Sequence, residues 1–166
     1  MSSGSLLREH APITERAWGE IDEEATRTLR CYLAARRMVD FKGPLGWEAS
    51  AVNVGQVELQ KKAPQSGVQA RIRKSLPLVE LRTPFELPRS VVDDIERGDD
   101  GADLDAVVDA AKAAALAEDS AVFNGYKVAG ITGILEGSPH KALKISDNYE
   151  QYPALVEQAT MVLRQA

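Results

Sequence analysis

The sequence predicts an α+β fold, and three stretches predict it. Trp18, Ile21, Ala25, Leu29, Tyr32 and Leu33 recur at helical spacing along one face. Val68, Ala70 and Ile72 alternate with Gln69, Arg71 and Arg73, the period of a half-exposed strand. Leu104, Val107, Val108, Ala111, Ala114, Ala115 and Val122 mark the buried side of a long alanine-rich helix. Between the first two stretches lies Arg36 to Trp47, RRMVDFKGPLGW. There a helix ends, a turn follows and an extended arm begins.

In chain order, Met1 to Ala11 is expected to be a flexible arm. Pro12 and Thr14 open the first helix, with Thr14 as N-cap and Glu15 in the first turn, where a negative charge suits the dipole. The helix is expected to run on to Arg36 and Arg37, whose charges suit its last turn. Fully burying its larger apolar groups is worth roughly 1.5–3 kcal/mol each. An isolated helix would not recover that, so this face must dock on something.

Gly43, Pro44 and Gly46 end the helical pattern. From about Ala49 to Leu59 the chain is extended, and Ala63 to Gly67 forms a turn. The alternation changes phase across Ser75 to Leu78. That predicts a bulge or bend at Pro77, separating an exposed arm from a second strand in a packed body. The second strand carries Val79, Leu81, Thr83, Phe85 and Leu87. Arm strands with so little apolar surface would be marginal alone, so they are expected to lean on a neighbouring subunit.

Val91 to Ile95 is a short helical piece ending near Gly98, and Asp99 to Asp103 an acidic loop. Asp103 is the expected N-cap of the alanine-rich helix, with Gly125 as its stop. Gly130 to Gly137 is loop-rich. Pro153 begins a last helix with Leu155, Val156, Ala159, Val162 and Leu163 on its apolar face. That pattern reaches the end of the sequence without a cap, so the polypeptide is expected to continue.

Composition excludes several classes of function. The formal net charge of −5 argues against sequence-independent nucleic-acid binding, which needs a basic stripe. No apolar run approaches the ~20 residues of a membrane-spanning helix. Cys31 is the one cysteine, so there is no disulfide framework or cysteine zinc site. It is expected to be a small buried hydrophobe. His10 and His140 are far apart in sequence and lack metal-type spacing. The acidic run from Asp93 to Asp105 lacks the ligand order of a calcium loop. Glu118 and Asp119 are adjacent on a helix and point in different directions, which argues against a shared acid–base site. Arg71, Arg73 and Lys74 have no interleaved aromatics, which fits a solvated strand edge. No catalytic residue, metal site or cofactor is expected, and the pattern points to a protein that works by assembling with other copies.

Read together and in order, APITERAWGEIDEEA, RRMVDFKGPLGWEASAV, RIRKSLPLVELRTPFEL, DDIERG, AALAEDSAVFNGY and GITGIL resemble the encapsulin shell proteins, once described as linocin-type bacteriocins. Each motif alone is weak; their order and spacing are specific. The resemblance implies the tailed-phage major-capsid-like fold and an icosahedral homo-oligomer enclosing a cargo enzyme. The cargo would be a dye-decolourising peroxidase or a ferritin-like protein, held by its C-terminal peptide. The implied setting is a cytoplasmic nanocompartment, with neither nucleic acid nor membrane as partner. It divides the chain into an arm and inner-surface helix (1–44), an extended loop (45–75), a peripheral domain with its spine helix (76–130) and the start of an axial domain (131–166). By motif match, Leu29, Arg36, Asp40 and Leu78 would line the cargo-peptide groove. The family's chain continues well beyond this length, which implies a truncated shell protein. The alternatives are a prophage capsid fragment, and a bacteriocin or protease-type hydrolase drawing on Cys31, His10 and His140.

Overall fold

The computed structural model describes residues 8–165. Most of the expected arm, residues 1–7, lies outside the described residues. Its inner end is tied down. Arg8–His10 form a 3-10 turn, and Arg8 donates to both oxygens of Asp22 at 2.7 Å each. The same guanidinium lies 4.5 Å from the centroid of the Trp18 ring.

Helix α1 spans Glu15–Tyr32. Thr14 is its N-cap as expected: its backbone is extended and its hydroxyl accepts from the Ala17 N–H at 3.4 Å. The helix stops earlier than the sequence predicts. Leu33 donates its N–H to Leu29, but the N–H groups of Ala34 and Ala35 turn away to the carboxylate of Asp119, each at 2.9 Å. The Arg30 carbonyl so released accepts from Arg37 Nη2 at 2.7 Å. Arg36 and Arg37 therefore sit in a 3-10 turn, Ala35–Arg37, not in the last α-helical turn.

Helix α2, Arg89–Arg97, ends in a Schellman turn, with Gly98 N–H on Ile95 and Asp99 N–H on Asp94. Helix α3 spans Asp105–Asn124. The expected cap is displaced by one residue: Leu104 takes the cap position, and Asp103 accepts from the Asp105 N–H at 3.0 Å. The buried residues of α3 are Val107, Ala111, Ala115 and Asp119, each four apart, a stripe of mostly small side chains that lets α1 approach closely. The two helices run side by side in the same direction. At one end the core of Ala17, Val92 and Ile95 takes in Leu104; at the other Ala35 meets Asp119.

Strands β1 (Ala51–Leu59) and β2 (Arg71–Pro77) form an antiparallel hairpin, and every residue in both is exposed. No bulge falls at Pro77, since Ser75, Leu76 and Pro77 pair in regular register with Asn53, Val52 and Ala51; the ladder is irregular in β1 instead. Asn53 pairs with Ser75 and Val57 with Arg73, so Val54–Gln56 face the single Lys74. Gly55 supplies the left-handed turn of this bulge at φ 73°, and its N–H donates to Asn53 Oδ1 at 2.9 Å. The predicted second strand at Val79 to Leu87 is also corrected. The segment has no strand partner among the described residues, and Val79, Leu81 and Phe85 are 38%, 48% and 42% exposed. Extended backbone becomes a strand only where a neighbour satisfies its hydrogen bonds.

Helix α4 is a single turn, Ile134–Gly137, and α5 spans Tyr152–Arg164 with Pro153 in its first turn. The expected burial of α5 is not met: Val156 and Leu163 are 64% and 70% exposed, and none of its described residues is buried. Cys31, expected to be buried, is exposed on α1.

The junction of α3 with α4 sets a strict steric requirement. A Cβ on Gly133 would stand 2.2 Å from Gly125 N and 2.4 Å from the Asn124 carbonyl carbon. Gly133→Ala must push backbone apart and is expected to cost ~1–3 kcal/mol or more. Gly137→Ala, whose Cβ would meet only Thr132 Cγ2 at 3.6 Å, should change little. Urea unfolding of the two variants measures the difference, and equal stabilities would refute the packing argument.

Candidate functional site

The surface beside α1 carries two grooves that share Leu29. One, about 390 Å³, lies over the contact of α1 with α3. Its floor is apolar: Ile21, Ala25 and Leu29 from α1, with Val107, Ala110, Ala111 and Ala114 from α3. Thr83 and Phe85 of the extended segment also line it, and Arg8, Trp18 and Asp22 close one end. The other groove, about 570 Å³, continues past the end of α1 between Thr26, Leu29, Arg30, Leu33, Arg36 and Arg37. The small alanines follow from the helix contact, since close approach of α1 and α3 leaves a shallow trough along their seam.

The far end of this surface is shaped by two carboxylates of α3. Asp119 is buried and accepts the N–H groups of Ala34 and Ala35. Glu118 forms a bidentate pair with Arg36, Nε to Oε1 at 2.6 Å and Nη2 to Oε2 at 2.7 Å. The Arg36 guanidinium also lies 4.5 Å from the centroid of the Phe41 ring. Its affinity for the proton is raised above the ordinary arginine value, chiefly by the Glu118 hydrogen bond. Glu118 and Asp119 do point in different directions, yet both act on the same short turn.

Of the residues matched by motif, the structure brings Leu29 and Arg36 to one groove. Asp40 and Leu78 line neither of these two grooves. Asp40 is exposed beyond the turn, and Leu78 is 45% exposed at the base of the hairpin, its N–H on the Ser50 carbonyl at 2.9 Å. Sequence reasoning missed Phe85, Glu118 and Asp119 as parts of this surface. Asp119 had a legible signal: it continues the four-residue spacing of Val107, Ala111 and Ala115, which puts a carboxylate on a buried stripe. The residues considered for hydrolysis are not assembled, since the groove that Cys31 lines contains neither His10 nor His140. Among the described residues no cluster of three metal-ligating side chains occurs, and no helix is long and apolar enough to cross a membrane.

Two measurements test this geometry. Asp119→Asn would turn an amide N–H₂ toward backbone donors, and a buried unsatisfied donor costs about 1–3 kcal/mol. Glu118→Gln weakens a half-exposed pair and should cost less than about 1 kcal/mol. Urea unfolding ranks them, and a reversed order would overturn the assignment. Separately, the Arg8 hydrogen bonds hold the Asp22 carboxyl below the usual carboxylate range, the opposing effect of burial being smaller. A depressed folded value means that this stabilisation is complete above aspartate's ordinary ~3.9 and is lost as the pH falls through the folded value. Carboxyl NMR titration should find Asp22 below that range, and Arg8→Ala should return it there.

Comparison with known proteins agrees over nearly the whole chain. The Linocin_M18 family, described as an encapsulating protein for peroxidase, matches residues 3–166. A type 1 encapsulin shell protein of Rhodospirillum rubrum is 46% identical over 164 residues, covering 96% of this chain and 59% of that protein. The type 1 encapsulin shell protein of Mycobacterium tuberculosis is 43% identical over 162 residues, covering 98% of this chain and 61% of that one. A diheme-cytochrome–encapsulin shell fusion protein of Kuenenia stuttgartiensis is 25% identical over 142 residues, covering 81% of this chain and 39% of the fusion. The chain thus spans about three fifths of the length of the type 1 shell proteins it matches. With the colinear motifs and a family match across all but its first two residues, the chain belongs to the encapsulin shell-protein family.

Proposed function

We propose that this chain forms part of the shell of an icosahedral compartment with the tailed-phage major-capsid fold, and that its grooved face holds a cargo enzyme inside. The observation that carries this reading is the β1–β2 hairpin. All of its residues are exposed, including Val57, Leu59, Ile72 and Leu76 at 52–58%, in a member of a family of shell proteins. Exposed apolar area of that kind on an arm is the mark of a surface completed by another subunit. In this reading residues 1–44 supply the inner-surface helix, 45–75 the intersubunit loop, 76–130 the peripheral domain with α3 as spine, and 131–166 the start of the axial domain. The compartment is cytoplasmic.

The cargo is a peroxidase or a ferritin-like protein, captured through its C-terminal peptide. The family's description as an encapsulating protein for peroxidase supports the first of these. Leu29 would bury apolar side chains of the peptide and Arg36 would bound its path, with Leu78 and Asp40 contributing where the peptide leaves the two grooves, which they do not line. The apolar trough along α1 and α3 supports a peptide-sized occupant.

Light scattering and negative-stain imaging of the full-length protein test the assembly: closed particles are expected, and monodisperse monomer would sink the proposal. Val57→Asp together with Ile72→Asp on the hairpin should shift the population from particles toward monomers without unfolding the helices. Unchanged particles would show that the hairpin does not join subunits.

A further inference from the structure

We infer that the hairpin docks through the face bearing Val57, Leu59, Arg71 and Arg73, and that its partner is a second copy of this chain, met at an acidic groove between α1 and the start of α3. The inference rests on the reading of the hairpin as a joint between subunits and names the surface that receives it.

Charge is spread unevenly along the chain. From Ala51 to Pro77 stand Lys61, Lys62, Arg71, Arg73 and Lys74 against Glu58 alone, so this stretch carries +4. The whole chain carries −5, which leaves −9 on the rest. None of the five cations forms an ion pair among the described residues. Arg71 donates instead to the neutral Gln69 Oε1, at 3.2 and 2.8 Å. A positive arm whose charges its own subunit leaves unanswered fits a partner that carries the charge of the body, and a second copy supplies one. The ladder sorts these groups by face. Leu59 stands opposite Arg71 and Val57 opposite Arg73, so one face sets two guanidinium groups beside two exposed apolar side chains.

The acidic groove has the same two parts with the opposite charge. It is a hollow of about 480 Å³ that shares no residue with the two grooves described above. Leu104 and Val108 give it an apolar wall, and Glu20, Glu23 and Asp105 a negative rim. Two other carboxylates there are engaged, Glu24 by Arg27 and Asp100 by Arg16 at 3.8 Å. Glu20, Glu23 and Asp105 form no ion pair among the described residues, where no metal-ligating cluster occurs either. Guanidinium forks suit such carboxylates, and Val57 and Leu59 suit the apolar wall.

Charge exchange in the full-length protein, read by light scattering and negative-stain imaging, tests this pairing. Arg71→Glu with Arg73→Glu sets like charges against the groove and should lower the particle fraction at least about tenfold. Glu20→Lys with Glu23→Lys should do the same from the other side. All four substitutions together restore opposite charges with the signs exchanged, and should return the particle fraction to within about twofold of the parent's. Circular dichroism should show parent helix content in every variant, which separates a lost joint from a lost fold. Should a reversed variant lose helix, Arg71→Gln with Arg73→Gln and Glu20→Gln with Glu23→Gln carry the same test, with falls of about threefold or more. Parent-like particles from either changed surface, or a fourfold variant that stays dispersed, would overturn the inference. Val57→Asp with Ile72→Asp separates the two readings. If that pair leaves particles intact, the hairpin is no joint and both fall. If it disperses them while the charge variants assemble normally, the joint stands and the acidic groove is not its receiver.

Discussion

A single buried carboxylate determines how the helical body is arranged. Asp119 sits on the stripe of α3 that faces α1, where an unpaired charge would be expensive. Its two oxygens accept the two backbone donors that α1 would otherwise direct along its own axis. One contact therefore satisfies a buried acid, ends a helix and pins the chain that leaves it. Remove the acceptor, and both α1's end and the course of the polypeptide toward the hairpin lose their reference point. The same contact draws the turn onto α3, where Ala35 is fully buried.

The rest of the body is held by modest means. The core around Ala17, Val92 and Ile95 is small, and the seam between the long helices is lined largely by alanine. Alanine brings backbones close but removes little apolar area from water per residue. Meanwhile the hairpin, the segment after it and α5 leave valine, leucine, isoleucine and phenylalanine in solvent. The molecule thus concentrates its order in three helices and one clamp, and presents most of its large apolar groups outward.

What the sequence disclosed follows from the range of the interactions concerned. Thr14, Gly98 and Gly125 act within a turn of their own neighbours, and those boundaries were legible. The buried side of α3 was legible too, because Val107, Ala111 and Ala115 repeat at helical spacing. The end of α1 was not, since it is set by a residue 84 positions away. Propensity and the basic pair Arg36–Arg37 both favour continuing the helix, and a tertiary contact overrides them. Val79 to Leu87 has a strand's alternation, but alternation cannot announce whether a partner strand lies beside it. At the groove, Leu29 and Arg36 were found by motif. Arg36's partner was considered only as an acid–base candidate, because neighbours on a helix are read as diverging and not as serving one turn. Cys31 misled for the opposite reason: its residue type favours burial, while its place on α1 faces away from α3.

The bulge at Gly55 has a consequence for the form that association can take. An uninterrupted two-stranded ribbon with so much exposed valine and leucine offers its edge to any extended chain, and such edges seed fibres. Here the ladder is broken after three pairs, and the extra residues of β1 bend the strand away from flatness. The basic residues Arg71, Arg73 and Lys74 add like-charge repulsion to stacking of identical ribbons. The arm can be adhesive and yet unable to propagate its own pairing indefinitely. The bulge and the basic edge thus both work against the stacking of one ribbon on the next.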